Sequence, residues 1–132
     1  MVRPDEMFYG ASVPKICILL GYFETHPEAV SDLTPDVQGE LELMIKRSSN
    51  ELAAKYSQIG GLDRLQKILE SPRYRFYDRE HGGGLWCGKH YGLDQPRIGD
   101  PLKDHSHAAT VRQCLRYYLM LEQGGLVSAE AC

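Results

Sequence analysis

The segment from residue 34 to residue 61 does most to define what this chain can fold into. Thr-Pro-Asp at 34–36 predicts a helix start, because threonine caps free amides, proline suits the first helical position and aspartate favours the positive helix end. Ser-Ser-Asn at 48–50 interrupts the pattern with residues that prefer caps, so one long helix and two joined helices both remain open. Gly60-Gly61 ends the segment. The apolar residues in between recur at helical spacing: Val37, Leu41, Met44, Ile45, Leu52, Tyr56 and Ile59.

Other helices are predicted on both sides of this segment. Residues 14–24 fit a helix that begins with a proline, although their isoleucines would also suit a buried strand. Residues 62–70 fit a short helix that Ser71-Pro72 ends. A last helix is predicted over 106–123, capped by Asp104 or Ser106. Its apolar residues cover much of its circumference, which predicts a buried helix that forms the spine of the core.

The aromatic and glycine-rich region after residue 73 predicts the β structure. Residues 74–77 fit a strand, Gly82 to Gly84 fit a loop, and residues 85–87 fit the returning strand of a β-hairpin. Residues 90–103 contain glycines and prolines that favour an ordered loop. The predicted fold is α+β and mainly α-helical, with four to five helices and one small β-hairpin in a single layer-packed domain over residues 1–132. The predicted core comprises Ile16, Leu19, Leu20, Val37, Leu41, Ile45, Leu52, Leu65, Ile68, Val111, Leu115, Tyr118 and Leu119.

Composition and charge narrow the classes of function. The hydrophobic fraction of 42% is that of an ordinary globular protein, and the net charge of −3 disfavours a general attraction to nucleic acid. No apolar run approaches the ~20 residues of a membrane-spanning helix, and the first residues do not resemble a secretory signal. The four cysteines form no Cys-x-x-Cys pair. We therefore expect a soluble, cytoplasmic protein with reduced thiols and no membrane partner.

A cluster of histidines and one cysteine suggests a metal site. His81, Cys87 and His90 are followed by His105 and His107, and imidazole and thiolate are ligands that suit zinc. Residues two apart do not share a helix face, so we expect only one of the last two histidines to bind the metal, and His105 is the predicted ligand. Zinc is the one cofactor that the sequence suggests. In a hydrolytic version of this hypothesis, Glu80 acts as general base beside zinc-bound water.

The sequence contains no complete catalytic signature. The chain has no His-Glu-x-x-His pair, no Gly-x-Ser-x-Gly nucleophile elbow and no phosphate-binding P-loop. Gly82 to Gly84 lead into a strand-like segment, which favours loop flexibility over phosphate binding. Whether the chain is an enzyme stays open, and the balance favours a non-enzymatic protein.

A winged-helix DNA-binding protein is a further hypothesis. Residues 50–56 and 62–69 predict two helices around a glycine turn, and an arginine-rich hairpin follows. The acidic segment before them would repel a duplex. Nucleic acid is therefore not the expected partner.

The main functional prediction is a binding or interaction module of adaptor or inhibitor type that uses the hairpin and loop at 74–107. Aromatic and arginine side chains are enriched at binding hot spots. A protein partner is expected, and a homodimer is plausible because closed twofold dimers are common. The predicted binding surface comprises Tyr74, Arg75, Tyr77, Arg79, Trp86 and Tyr91.

Overall fold

A computed structural model describes residues 3–92, 96–128 and 131–132. It confirms the α+β, mainly helical fold class, with 47% of residues in helices and a small antiparallel sheet. No helix among these residues is both long enough and apolar enough to cross a bilayer. The elements in chain order are β1 Phe8–Tyr9, α1 Lys15–Thr25, a 3₁₀ turn Pro27–Val30, α2 Pro35–Lys46, α3 Asn50–Gly60, α4 Leu62–Glu70, β2 Tyr77–Asp78, β3 Gly83–Gly84, β4 Trp86–Cys87, β5 His107–Ala109 and α5 Val111–Glu122.

Local capping chemistry divides residues 34–60 into two helices. The Thr34 hydroxyl accepts a hydrogen bond from the Val37 amide at 3.3 Å and caps α2. The Ser49 hydroxyl accepts one from the Leu52 amide at 3.2 Å and caps α3. Ser48, between the two helices, has a φ of 54°. This left-handed backbone conformation prevents α2 from continuing into α3. The sequence is compatible with one helix or two over this segment, and the structure has two.

The strands pair differently from the predicted hairpin. β4 pairs with β5 and β5 with β1, all antiparallel, while β2 pairs with β3 in a separate ribbon. The predicted strand at 74–77 is wrong except for Tyr77, because Arg75 has a φ of 46° and turns the chain out of an extended path. Residues 83–84, predicted as a loop, form β3. The second strand of the predicted hairpin, β4, therefore belongs to the other sheet.

The last helix begins later than predicted. Residues 107–109 form β5, and α5 starts at Val111. Its cap is Thr110, whose hydroxyl accepts a hydrogen bond from the Gln113 amide at 3.2 Å, so the prediction of Asp104 or Ser106 as cap is wrong. Pairing of residues 107–109 with two other strands outweighs their local helical tendency.

The prediction that this helix is the buried spine of the core is also wrong. Leu115 is 67% exposed, and Gln113 and Tyr117 are the buried residues of α5. The helix lies on the outside of the domain and turns only one face inward. Four residues that were predicted for the core are therefore exposed: Val111, Leu115, Tyr118 and Leu119.

The core forms instead around α1, which packs against α2, α3, α4 and β4. Of the remaining predicted core residues, Ile45 is exposed, and Leu19, Val37, Leu52 and Ile68 are partly buried. Ile16, Leu20, Leu41 and Leu65 are buried as predicted. Aromatic residues from the region after α4 complete the core: Tyr74, Phe76, Tyr77, Trp86 and Tyr91.

Candidate functional site

Lys15, at the start of α1, is the only lysine or arginine among the described residues whose side chain is buried. This residue is only 2% exposed. Its Nζ lies 2.7 Å from the Ser48 carbonyl oxygen, 3.0 Å from Ser48 Oγ and 2.8 Å from Asn50 Oδ1. It also lies 3.2 Å from Ser12 Oγ. A buried amine thus sits among four oxygens supplied by two separate loops.

Lys15 has no carboxylate partner in the described part of the chain, since none of the ion pairs there includes it. Burial removes water from the ammonium and lowers the pKa of Lys15 below its ordinary value. The positive end of α1, which has no acidic residue in its first turn, disfavours the charged form further. A buried lysine with a depressed pKa is suited to accept a proton.

Ser12 is held one turn before this lysine. The Lys15 amide donates to the Ser12 carbonyl at 3.1 Å, so the chain already turns as a helix does here. Residues three apart share a face of such a turn, which brings the Ser12 hydroxyl to the lysine. Ser12 is itself exposed. An exposed serine thus stands beside a lysine that is shielded from water.

The loop between α2 and α3 supplies the opposite side of the site. The Ser48 carbonyl and Asn50 Oδ1 can only accept hydrogen bonds, so they orient two N–H bonds of Lys15. The hydroxyls of Ser12 and Ser48 can each accept or donate. When Lys15 is neutral, its lone pair can accept a proton from either hydroxyl. The arrangement connects two hydroxyls through one amine.

Two aromatic rings form the inner wall of the site. The Tyr91 ring lies with its centroid 4.7 Å from Lys15 Nζ, and its hydroxyl donates to the Ala11 carbonyl at 2.6 Å. The His107 ring stacks on Tyr91 at 4.3 Å with an interplanar angle of 8°. Burial lowers the pKa of His107 to about 4, with Lys89 and Lys15 adding to the effect. His107 is therefore neutral near pH 7, and its buried Nδ1 has no hydrogen-bond partner in the described part of the chain.

The binding surface predicted from the sequence is mostly internal. Tyr74, Tyr77, Trp86 and Tyr91 are all less than 10% exposed. Tyr77, for example, donates to Asp100 Oδ1 at 2.6 Å in a buried contact. Arg75 and Arg79 are exposed, and Arg79 is paired with Glu70 at 3.1 Å. The six residues therefore do not form one exposed surface in this structure.

The structure does not bring the predicted zinc ligands together. Cys87 is fully buried, and burial raises the pKa of its thiol to about 12. His90 Nδ1 contacts Ser57 Oγ at 2.6 Å, and His81 Nδ1 contacts Asp78 Oδ2 at 2.9 Å. Within the described residues, the group of three or more ligand atoms close enough for one ion comprises Asp78, Glu80 and His81. It contains neither Cys87, His90 nor His105.

The helices of the DNA-binding hypothesis are present as α3 and α4, with Gly61 between them at a φ of 82°. Two arginines of the proposed wing are already neutralised by acids. Arg73 pairs with Glu24 at 3.3 Å, and Arg79 pairs with Glu70. Fewer positive charges are thus free to meet phosphates.

The sequence contains a signal for the Lys15 site, although neither Ser12 nor Lys15 was among the predicted site residues. Ser12 and Lys15 have the Ser-x-x-Lys spacing, and Ser48 and Asn50 have the Ser-x-Asn spacing. The Gly-x-Ser-x-Gly elbow does not use lysine as a base, so its absence does not exclude a Ser–Lys pair. The tripeptide at 48–50 was predicted only as a possible boundary between two helices, and it does form that boundary.

No protein-family model, curated protein or solved structure matches this chain.

Proposed function

We propose that this protein is a serine enzyme that forms an acyl-enzyme on Ser12, with Lys15 as the base. The observation that carries the proposal is the 3.2 Å contact between Ser12 Oγ and the Nζ of a buried lysine that has no acidic partner in the described residues. A serine hydroxyl is a weak nucleophile until a neighbouring group takes its proton. Ser–Lys pairs are one of the known arrangements that do this.

The first half of the reaction follows from these contacts. Neutral Lys15 removes the Ser12 hydroxyl proton while Oγ forms a bond to the carbonyl carbon of an ester or amide. The carbonyl electron pair moves to oxygen, and the positive end of α1 favours the developing negative charge. The bond to the leaving group then breaks as that group receives a proton. The acyl group remains on Ser12, and water or another nucleophile removes it later.

Ser48 and Asn50 complete the site in this proposal. Ser48 Oγ is 3.0 Å from Lys15 Nζ, so it can pass the proton from the lysine to the leaving group. Asn50 holds the amine through Oδ1 at 2.8 Å and is itself exposed, which leaves its amide nitrogen available to a substrate carbonyl.

The spacing of these same residues agrees with the proposal. Class A β-lactamases and penicillin-binding proteins carry a nucleophilic Ser-x-x-Lys, a Ser-Asp-Asn and a Lys-Thr-Gly motif. This sequence contains Ser-x-x-Lys at 12–15 and Ser-Ser-Asn at 48–50, but no Lys-Thr-Gly. The shared spacings support an acylating serine and make a penicillin a rational probe, while the natural substrate is left open.

Covalent labelling tests the proposal. The protein would be incubated with a fluorophosphonate and, separately, with a fluorescent penicillin, and its intact mass would then be measured. We expect a single adduct that maps to the peptide containing Ser12. Ser12→Ala should abolish it, while Ser31→Ala, at an exposed serine, should leave it unchanged. Likewise, Lys15→Met should slow labelling by about a thousandfold, the order expected for loss of a general base, and Lys46→Met should not.

Two outcomes contradict the proposal. One is the absence of any adduct with either probe in folded protein. The other is an adduct that survives Ser12→Ala, because the reactive residue would then lie elsewhere.

The other functions expected from the sequence have less support from the contacts. An interaction module that uses residues 74–107 stays a prediction, but four of its six named side chains are buried. A zinc protein and a DNA-binding protein also stay predictions. A partner protein and a homodimer are compatible with the proposed enzyme and are not needed for its chemistry.

A further inference from the structure

Tyr91 contacts both parts of the proposed site, the peptide before Ser12 and the side chain of Lys15. Its hydroxyl donates a hydrogen bond of 2.6 Å to the carbonyl oxygen of Ala11, the residue before Ser12. Its ring face lies 4.7 Å from Lys15 Nζ. The bond to Ala11 spans 80 positions of the chain. One side chain thus contacts both the peptide that carries the nucleophile and the base.

The conformation of Ala11 explains why such a contact is needed. Ala11 has a φ of 48°, in the left-handed region that residues with a Cβ rarely adopt. A strained residue beside a nucleophile holds its position only when the surroundings enforce it. The Tyr91 hydrogen bond to the Ala11 carbonyl acts directly on this turn, and it therefore governs where Ser12 Oγ lies relative to Lys15.

We propose that Tyr91 is a positioning residue for acylation at Ser12, with its hydroxyl fixing the Ala11–Ser12 turn and its ring face holding the Lys15 side chain in place. This proposal rests on the proposed function and names a further residue of the same site. The Tyr91 hydroxyl donates to the Ala11 carbonyl oxygen, and its ring packs against Lys15 without taking part in the proton transfer. It acts through Ala11 and Lys15.

The surroundings of Tyr91 favour this role over simple packing. Burial raises the pKa of the Tyr91 hydroxyl, so it remains a hydrogen-bond donor throughout the pH range in which enzymes work. On the opposite side, the stacked His107 ring is neutral above about pH 4. The titratable groups acting on Tyr91 and His107 are Lys15, Lys89, Cys17, Cys87 and Tyr9.

Two substitutions separate the roles of the hydroxyl and the ring. Tyr91→Phe removes only the hydrogen bond to Ala11, and we expect it to slow labelling of Ser12 about tenfold, because small misplacements of reacting groups are costly. The pH midpoint of labelling should stay unchanged, because the ring face remains. Tyr91→Leu also removes the aromatic ring, whose face stabilises the ammonium form of Lys15. We expect this variant to move the midpoint down by about half a pH unit.

The matched controls are Tyr118→Phe and Tyr118→Leu, at an exposed tyrosine of α5. Neither should change the rate or the midpoint. The proposal would be overturned if both Tyr91 variants were labelled at the wild-type rate and with the wild-type pH midpoint. If Tyr91→Leu does not fold, the labelling rate of Tyr91→Phe alone decides the test. The pKa of Lys15 in protein with ¹³C-labelled lysine, followed by NMR, provides a readout that needs no catalysis.

This second readout distinguishes failure of the two proposals. Absence of labelling in the wild-type protein would contradict the acyl-enzyme function. The NMR titration would then still show whether the Tyr91 ring interacts with the Lys15 amine. A lower Lys15 pKa in Tyr91→Leu supports that contact, and an unchanged pKa overturns it.

Discussion

Lys15 Nζ and Asn50 Oδ1 meet at 2.8 Å although the two residues are 35 positions apart in the chain. Each is the first residue of its helix, α1 and α3, and the two helices pack against each other. The contact therefore forms where two helix N-termini converge. The positive ends of both helices disfavour a third positive charge at this point. The same geometry that makes Lys15 costly to bury makes it a suitable base.

Replacing Asn50 by aspartate should leave less of Lys15 in its neutral form near pH 7. A carboxylate 2.8 Å from the amine would stabilise the ammonium form and raise the pKa of Lys15. We expect the pH midpoint of Ser12 labelling in Asn50→Asp to rise by about one pH unit or more. Gln58→Glu, which adds the same charge on an exposed part of α3, is the control. A midpoint that does not move in Asn50→Asp would show that Lys15 is not the titrating group.

Lys15→Met should make the protein more stable at neutral pH, by about 1 kcal/mol, because substitutions that relieve a strained active site often stabilise. The folded-state pKa of Lys15 is below its unfolded value, so the unfolded state binds the proton more strongly. Wild-type stability should therefore rise between the folded pKa and about pH 10.4, the unfolded value. Urea unfolding of both proteins across this range measures the difference.

The advantage of the methionine variant should shrink as the pH rises through that window. Lys46→Met, at an exposed lysine of α2, should show no such pH dependence. A Lys15→Met protein that is less stable than wild type at every pH would mean that the four oxygen contacts outweigh the cost of burial.

His107 should make the fold sensitive to acid. Its pKa is about 4 in the folded protein against 6.5 ordinarily, so at pH values between these the unfolded state binds a proton that the folded state excludes. Stability should fall as the pH is lowered from about 6.5 to about 4, by about 2–3 kcal/mol from this residue. His107→Phe keeps a ring against Tyr91 and removes the titration.

The measurement is the difference in unfolding free energy between wild type and His107→Phe at pH 7 and at pH 4. The variant should lose less stability than the wild type on acidification. Parallel losses in the two proteins would show that His107 protonates as easily in the folded state as in the unfolded chain.

Asp100 should be a structural anchor rather than part of the site. Its buried carboxylate accepts hydrogen bonds from the Tyr77 hydroxyl and the amides of Leu102, Lys103 and His105. Burial alone would raise its pKa, but these bonds outweigh burial and lower it. Asp100→Asn places an NH₂ group where an acceptor is needed and should cost about 2 kcal/mol. Thermal unfolding measures this cost.

The control for that substitution is Asp104→Asn, at an exposed side chain, which should change stability by less than about 0.5 kcal/mol. Labelling of Ser12 at a temperature where Asp100→Asn is folded should proceed at the wild-type rate. Loss of labelling in the folded variant would place Asp100 in the function.

Local signals in the sequence marked the starts of α2 and α3, because capping depends on residues three apart, but they misplaced the start of α5. Thr34 and Ser49 illustrate this, since each caps with a hydroxyl that the next turn needs. The exposure of Leu115 could not be predicted in this way, because apolar content does not say which face of a helix meets the rest of the domain. The strand at 107–109 depends on partners at 8–9 and 86–87, which are far away in the chain.

The candidate site was only partly predictable, for the same reason. The Ser-x-x-Lys spacing was present in the sequence, but the burial of Lys15 depends on oxygens more than 30 positions away. Burial likewise removed Tyr74 and Trp86 from the predicted binding surface. Aromatic residues in a glycine-rich region predict a contact surface and a core equally well until the packing is known.

The most direct test is the rate of Ser12 labelling by a fluorophosphonate as a function of pH, in the wild type and in Lys15→Arg. The arginine keeps a positive charge and cannot give up its proton in this range. In the wild type the rate should rise through a midpoint below the ordinary lysine pKa and then level off. In Lys15→Arg the rate should be low and show no midpoint. Equal rates and the same pH dependence in both proteins would contradict the account, because Lys15 would then not be the base for Ser12.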